Sequence, residues 1–209
     1  MRKIVVVLIV GGVLYGLGRD EIYNKSPMKV TLKELFESAD CVVMGKIEKV
    51  KAEKEIELLP VEVVKKRLSM EEEETGEKRM HLLEERRKRE MVYTHVKLSP
   101  DEWLKNEGKE KEILIQVMGG ESEPDEKGVR LAVMVNHIGG TPVFKENQRV
   151  LVFLEKAEGK PYYWMVCNAR GEYVIEKNKI INQLLGEKES LKGFLDKIKR
   201  IKNEGVKEK

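Results

Sequence analysis

"SADCVVMGKIEKV", residues 38–50, decides how the rest of the chain is read. Val43, Gly45 and Ile47 alternate with Met44, Lys46 and Glu48, the period of a strand with one core face and one increasingly solvated face. Its start, Cys41 to Met44, is apolar on both faces and needs a second cover. The preceding "TLKELFESAD" supplies one. Thr31 and Glu34 stand at capping-box spacing, and Leu32, Leu35 and Phe36 share one side of a two-turn helix. Gly45 in mid-strand predicts a bend of the kind barrel strands need.

Further strands follow at close spacing: "VYTHVKL" (92–98), "EILIQVMGG" (112–120), "VRLAVMVN" (129–136), "RVLVFLEK" (149–156), "PYYWMVCN" (161–168) and "GEYVIEK" (171–177). Gly, Pro and Asn mark the joints, and "SPDEW" (99–103) reads as a turn. That pattern argues a barrel or sandwich. Leu191, Phe194, Leu195, Ile198 and Ile201 then follow helical spacing, which predicts a C-terminal helix packed on the strands, with 202–209 as a disordered tail.

Residues 53–90 interrupt the strand order. Pro60 suits a helix start, the segment is rich in helix formers, and Glu84–Lys88 and Glu85–Arg89 are favourable i,i+4 pairs. The expectation is a helical insertion, its Leu68, Met80, Leu82 and Leu83 forming an interaction arm. "RRKR" (86–89) is flanked by glutamates and reads as a solvated face, so no nucleic-acid partner is expected.

At the N-terminus a basic "MRK" precedes the apolar "IVVVLIVGGVLYGL" (4–17), with small residues at Gly16 and Gly18. Fourteen helical residues reach roughly 21 Å, short of a hydrocarbon core of roughly 30 Å. Residues 1–18 therefore read as a signal peptide and 19–30 as a linker, the alternative being an uncleaved anchor, the only membrane contact expected. Taking Arg2 and Lys3 from the 40 basic residues leaves 38 against 37 acidic, a nearly neutral chain. Glu and Lys dominate and Gln occurs only at 116, 148 and 183, a bias associated with heat-adapted sources. In an oxidising compartment Cys41 and Cys167 are a possible disulfide, with two separate buried thiols as the alternative.

The succession "SADCVVMGKIEKV", "VYTHVKLSPDEWLKNEG", "EILIQVMGG", "GGTPVFKENQRVLVFLEK" and "ARGEYVI" resembles a group of exported prokaryotic β-barrel domains found in surface proteins. More distantly it is similar to the OB-like barrel of the netrin and tissue-inhibitor-of-metalloproteinases class. The likeness covers roughly residues 31–201. It implies a mainly β (α+β), closed or partly open OB-like barrel with a short N-terminal helix, an insertion after the first strand and a C-terminal helix. Two features depart from that class: "KNEG" (105–108) loosens its Lys-Gly turn, and the insertion is long. Inhibitors of that class present an N-terminal cysteine to the enzyme's zinc. None lies near the expected mature N-terminus, so that role does not carry over.

Signals for chemistry are sparse. His81, His95 and His137 lack metal-ligand spacing, and Glu121, Glu123, Asp125 and Glu126 lack the register of a calcium loop, so no metal or cofactor is expected. Ser122 is not in a nucleophile elbow. Strand alternation puts Tyr162 and Trp164 on one face, either as core, the preferred reading, or as a ligand platform. The expected function is a secreted or extracytoplasmic non-enzymatic binding module for a protein or cell-envelope component. Carbohydrate or other small-ligand binding by Tyr162 and Trp164 is the alternative, and a metal-assisted hydrolase stands third. The mature chain is expected to start near Arg19. Intact mass of the native product checks this, and a full-length species extracted from membranes would refute cleavage.

Overall fold

The structure is a computed structural model that describes residues 4–10, 29–58, 88–106, 110–124, 130–136 and 142–207. It is mainly β, with two α-helices among the described residues. The "CVVMG" strand, β2 (Cys41–Leu58), is long, and β3 (Lys88–Lys105) returns antiparallel beside it. The ladder then passes to β4 (Ile113–Met118), which also pairs antiparallel with β3. From the other edge of β2 it passes to β7 (Arg149–Lys156). The short β8 (Tyr163–Met165) pairs parallel with β4 and antiparallel with β7, so β7, β2, β3, β4 and β8 form a closed ring. Beyond β7 the same sheet continues through β9 (Glu172–Glu176), β10 (Lys179–Asn182) and β11 (Glu187–Ser190). A second, three-stranded sheet joins β1 (Ile4–Val10), β6 (Arg130–Asn136) and β5 (Gly120–Glu121).

Three interruptions bend the β2–β3 ladder where it enters the ring. Leu104 and Asp101 are skipped on β3 and Glu48 on β2, each leaving one extra residue on its strand. The bend expected at Gly45 falls among them. A Cβ there would lie 2.3 Å from the Ser99 carbonyl oxygen, closer than any side chain tolerates. Pro100, opposite Gly45, is accommodated in this irregular stretch, where a missing N–H costs little. "SPDEW" is therefore part of β3 and not a turn, a correction to the sequence reading. Past Lys49 the ladder runs unbroken to Leu58 opposite Lys88. Residues 53–58 and 88–90 are thus strand where a helical insertion is expected, because cross-strand pairing overrides their helix propensity. Residues 59–87 lie outside the described part, and with them Leu68, Met80, Leu82, Leu83 and His81.

Two cores lie on the two faces of β2 and β7. Inside the ring pack Cys41, Val43, Ile47, Val96, Leu98, Ile113, Ile115, Val117, Val150, Val152, Leu154 and Met165. On the opposite face, Val42, Met44, Leu151 and Phe153 meet Leu35 and Phe36 of helix α1 (Leu32–Ser38) and Phe194 and Ile198 of helix α2 (Leu191–Lys207). The double burial of Cys41 to Met44 follows from this arrangement. The expected capping box is present: the Thr31 N–H donates to Glu34 Oε2 at 2.8 Å, and the Glu34 N–H to Thr31 Oγ1 at 3.2 Å. At the other end of α1 the Lys105 ammonium donates to the Phe36, Glu37 and Ala39 carbonyls at 2.6, 3.1 and 2.6 Å. Those carbonyls have no helical partner, and a cation there also suits the helix dipole. Helix α2 runs on to Lys207, so residues 202–207 are helical and the disordered tail does not begin at 202.

The second edge of β7 is divided. Arg149 to Val152 pair with β9, and Leu154 to Lys156 pair with β8. Between them the chain folds through a 3₁₀ turn, Asn168–Gly171, entered by Cys167 and Asn168 at φ 53° and 50°. The Val166 N–H donates to the Phe153 carbonyl at 2.9 Å. The buried Asn182 amide spans the turn, donating to the Arg170 and Glu172 carbonyls at 3.0 and 2.9 Å. Gly171 packs so tightly here that a Cβ would sit 2.3 Å from the Val166 carbonyl oxygen. Gly171→Ala should therefore lower stability by about 1–3 kcal/mol, the usual cost of overpacking. A urea midpoint unchanged from wild type would show that the turn can relax.

Candidate ligand-binding face

The outer face of β2, β3, β4 and β8 brings together a group of polar and aromatic side chains. Register alone builds it. Lys51 is opposite His95, His95 opposite Gln116, and Gln116 opposite Trp164, so one row crosses four strands. The next row holds Glu53, Tyr93 and Met118, and the third Glu55 and Met91. Side chains two residues apart on a strand share a face, so all these residues belong to the same surface.

Contacts tie the rows together. Glu55 Oε1 lies 2.8 Å from His95 Nε2 and accepts from Gln116 Nε2 at 3.0 Å. The Trp164 ring stands 5.1 Å from Tyr162, edge to face, and 6.2 Å from Tyr93 at 55°. The rings make a corner and not a flat shelf. Tyr162 and Trp164 are half-buried, and Trp164 leans on a small apolar group of Met91, Val92 and Tyr93. They do share a face, as strand alternation requires, but that face is outside the ring. Tyr163 and Met165 are the ones that turn towards the ring interior, and Trp164 packs instead against the buried Met91, Val92 and Tyr93.

Gln116 is only 2% exposed, and its Oε1 has no hydrogen-bond partner among the described residues. Leaving a buried acceptor unpaired costs about 1–3 kcal/mol, so such an atom needs a reason. Alternation within single strands does not point to Tyr93, His95, Glu55 or Gln116, which meet only through the register between strands. The one available signal was a Gln inside the apolar strand "ILIQVM", in a chain with three Gln.

The other sequence candidates are scattered. Cys41 lies inside the ring and Cys167 in the helix-facing core, both as free thiols, so the possible disulfide is not formed. Burial pushes Cys41 up to about 12 and Cys167 up to about 11, which suits packing and not nucleophilic attack. Ser122 is buried and donates to the Glu123 carbonyl at 3.1 Å. A surface depression of about 270 Å³ lies between Ser122, Glu123 and the Lys51–Lys54 stretch of β2. Among the described residues no three His, Cys, Asp or Glu side chains come together as a metal site. Asp125, Glu126 and His137 fall outside them.

No family model, curated protein or solved structure matches the chain. The functional reading therefore rests on the chemistry of the face itself.

The second unpartnered buried atom among the described residues is Glu172 Oε1. Glu172 is 3% exposed, opposite Val152 on β7. Burial pushes its carboxyl up to about 7 from 4.5, opposed by a hydrogen bond from the Val143 backbone. Between these values the folded protein keeps a proton that the unfolded chain has released. Its contribution to stability is complete below about pH 4.5 and is lost as pH rises through about 7. Wild type should lose about 3 kcal/mol relative to Glu172→Gln on going from pH 4.5 to 8. Paired urea titrations measure this, and parallel pH profiles for the two proteins would contradict it.

Proposed function

We propose that this protein is an exported, non-enzymatic binding module of OB-like architecture whose contact with a cell-envelope component runs through the outer face of β3, β4 and β8. The strand order supports the architecture. Three antiparallel strands follow one another, β7 returns to the first of them, and β8 closes the ring parallel to the third. That order agrees with the connectivity expected of a five-stranded Greek-key barrel, a class that presents its second and third strands, with the flanking loops, to ligands. By that analogy the face of β3 and β4 is the ligand side, and the β7–β8 connection brings Tyr162 to its rim.

The observation that carries the reading is the aromatic corner of Tyr93, Tyr162 and Trp164 beside the unpaired Gln116 acceptor. The half-buried rings of Tyr162 and Trp164, next to an unused polar atom, suit a ligand better than they suit packing alone. Export is proposed from the apolar leader. Its Ile4–Val10 strand pairs with β6, so removing residues 1–18 would leave the eight-stranded sheet intact. A second contact on the β2–β3 ribbon has one point of support, Ile56, which is 67% exposed.

The test uses envelope fragments of the source cells immobilised on a support. Wild type should be retained, and Tyr162→Ala/Trp164→Ala should fold cooperatively yet bind at least tenfold more weakly. Leu82→Glu/Leu83→Glu should bind as wild type does. If only the second variant loses retention, the contact lies on the arm and the reading of the face is wrong.

A further inference from the structure

Resting on that reading of the face, we propose that its ligand is an uncharged carbohydrate, whose C–H face packs on Trp164 and Tyr162 while one hydroxyl donates to Gln116 Oε1. Three features of the face converge on that class. Aromatic rings accept the apolar face of a pyranose, and a corner of two rings at 82° grips its edge as well as its face. The unused polar atom is an acceptor, so the ligand must bring a donor, and sugar hydroxyls are donors close to an apolar ring face. Glu55 adds carboxylate oxygens on the same surface, already oriented by His95 and the Gln116 amide.

The alternatives fit less well. An apolar protein surface would leave Gln116 Oε1 unpaired in the complex, where the cost stays at its full value. A nucleic acid or anionic glycan would meet Glu53 and Glu55, while the cation of the row, Lys51, is paired to Glu53. That ion pair is exposed and gives a polyanion little net attraction. The neutral polyol is the class for which every group has a use.

Gln116 Oε1 is sealed from solvent in the free protein. Trp164 is its half-buried neighbour on the adjoining strand, in register with it, and the hydroxyl would enter beside that ring. Gln116 thus acts as the specificity residue and Trp164 as the platform. Removing Gln116 should cost affinity for sugars without touching the aromatic stacking.

Isothermal titration of the full chain with neutral linear oligosaccharides (of glucose, mannose and N-acetylglucosamine) tests the proposal. A polyuronate and a single-stranded oligonucleotide serve as anionic comparisons. At least one neutral series should bind saturably, with the tryptophan emission shifting in step. Gln116→Leu should weaken it tenfold or more, and Trp164→Ala should abolish it, with unfolding midpoints showing both variants folded. Gln116→Met gives a second reading, since it keeps the length of the side chain without the acceptor. It should bind the neutral sugar as weakly as Gln116→Leu does. Preference for either anionic probe, or sugar binding unchanged in Gln116→Leu, overturns the inference. If no neutral sugar binds while Trp164 is still needed for envelope retention, the sugar is wrong and the binding face stands. If Trp164 is needed for neither, both fail.

Discussion

One edge of one strand has to satisfy two neighbours. The outer edge of β7 gives Arg149 to Val152 to β9 and Leu154 to Lys156 to β8, and the switch happens at Phe153, whose carbonyl accepts the Val166 N–H. If β9 continued along the whole of β7, β8 would have no place, β4 would be an open edge, and the ring would not close. If β8 took the whole edge, the sheet that carries α2 would have nothing to attach to. The compact turn at 166–171 makes the division possible. Two consecutive left-handed residues, a glycine pressed against a carbonyl and a buried asparagine amide all serve that reversal. None of these groups lies on the aromatic face, yet all of them set where Trp164 stands.

Much of this was legible. The strands built from β-branched residues with clear alternation, such as "RVLVFLEK" and "CVVMG", could only be strands, and the capping box and the apolar spacing of α2 located both helices. What misled was charge. "AEKEIEL" (52–58) is made of helix formers, and nothing local says that its fate is a ladder with residues 88–94. A strand whose stability comes from its partner carries no sign of that partner in its own composition. "SPDEW" shows the same limit in another form: Pro and Asp signal a turn, and only the three skipped residues between β2 and β3 turn that signal into a bent strand.

The candidate site was half legible. Period-2 alternation linked Tyr162 to Trp164, since they are two residues apart. It could not link Trp164 to Tyr93, 71 positions away, or say which face of the sheet would look outward. Tyr162 and Trp164 stand outside because Tyr163 and Met165 fill the ring, a choice made by the register of β8 against β4 and β7. The same geometry separates the cysteines. Neighbours on β2 point to opposite sides, so Cys41 shares the ring interior with Val43, whereas Cys167 lies with Val42 on the helix side. A sheet stands between the two thiols.

The parallel ladder joining β4 to β8 is two residue pairs long, Ile115 with Tyr163 and Gln116 with Trp164, whereas β2 and β7 share six. A ring is only as closed as its thinnest seam, and local opening follows the elements with the least pairing. Breathing of this ring therefore concentrates at that seam, on the strands that carry the unpartnered Gln116 oxygen and the indole. Anything that bridges those two side chains acts as a stitch across it, and occupancy of the outer face becomes a clamp on the interior.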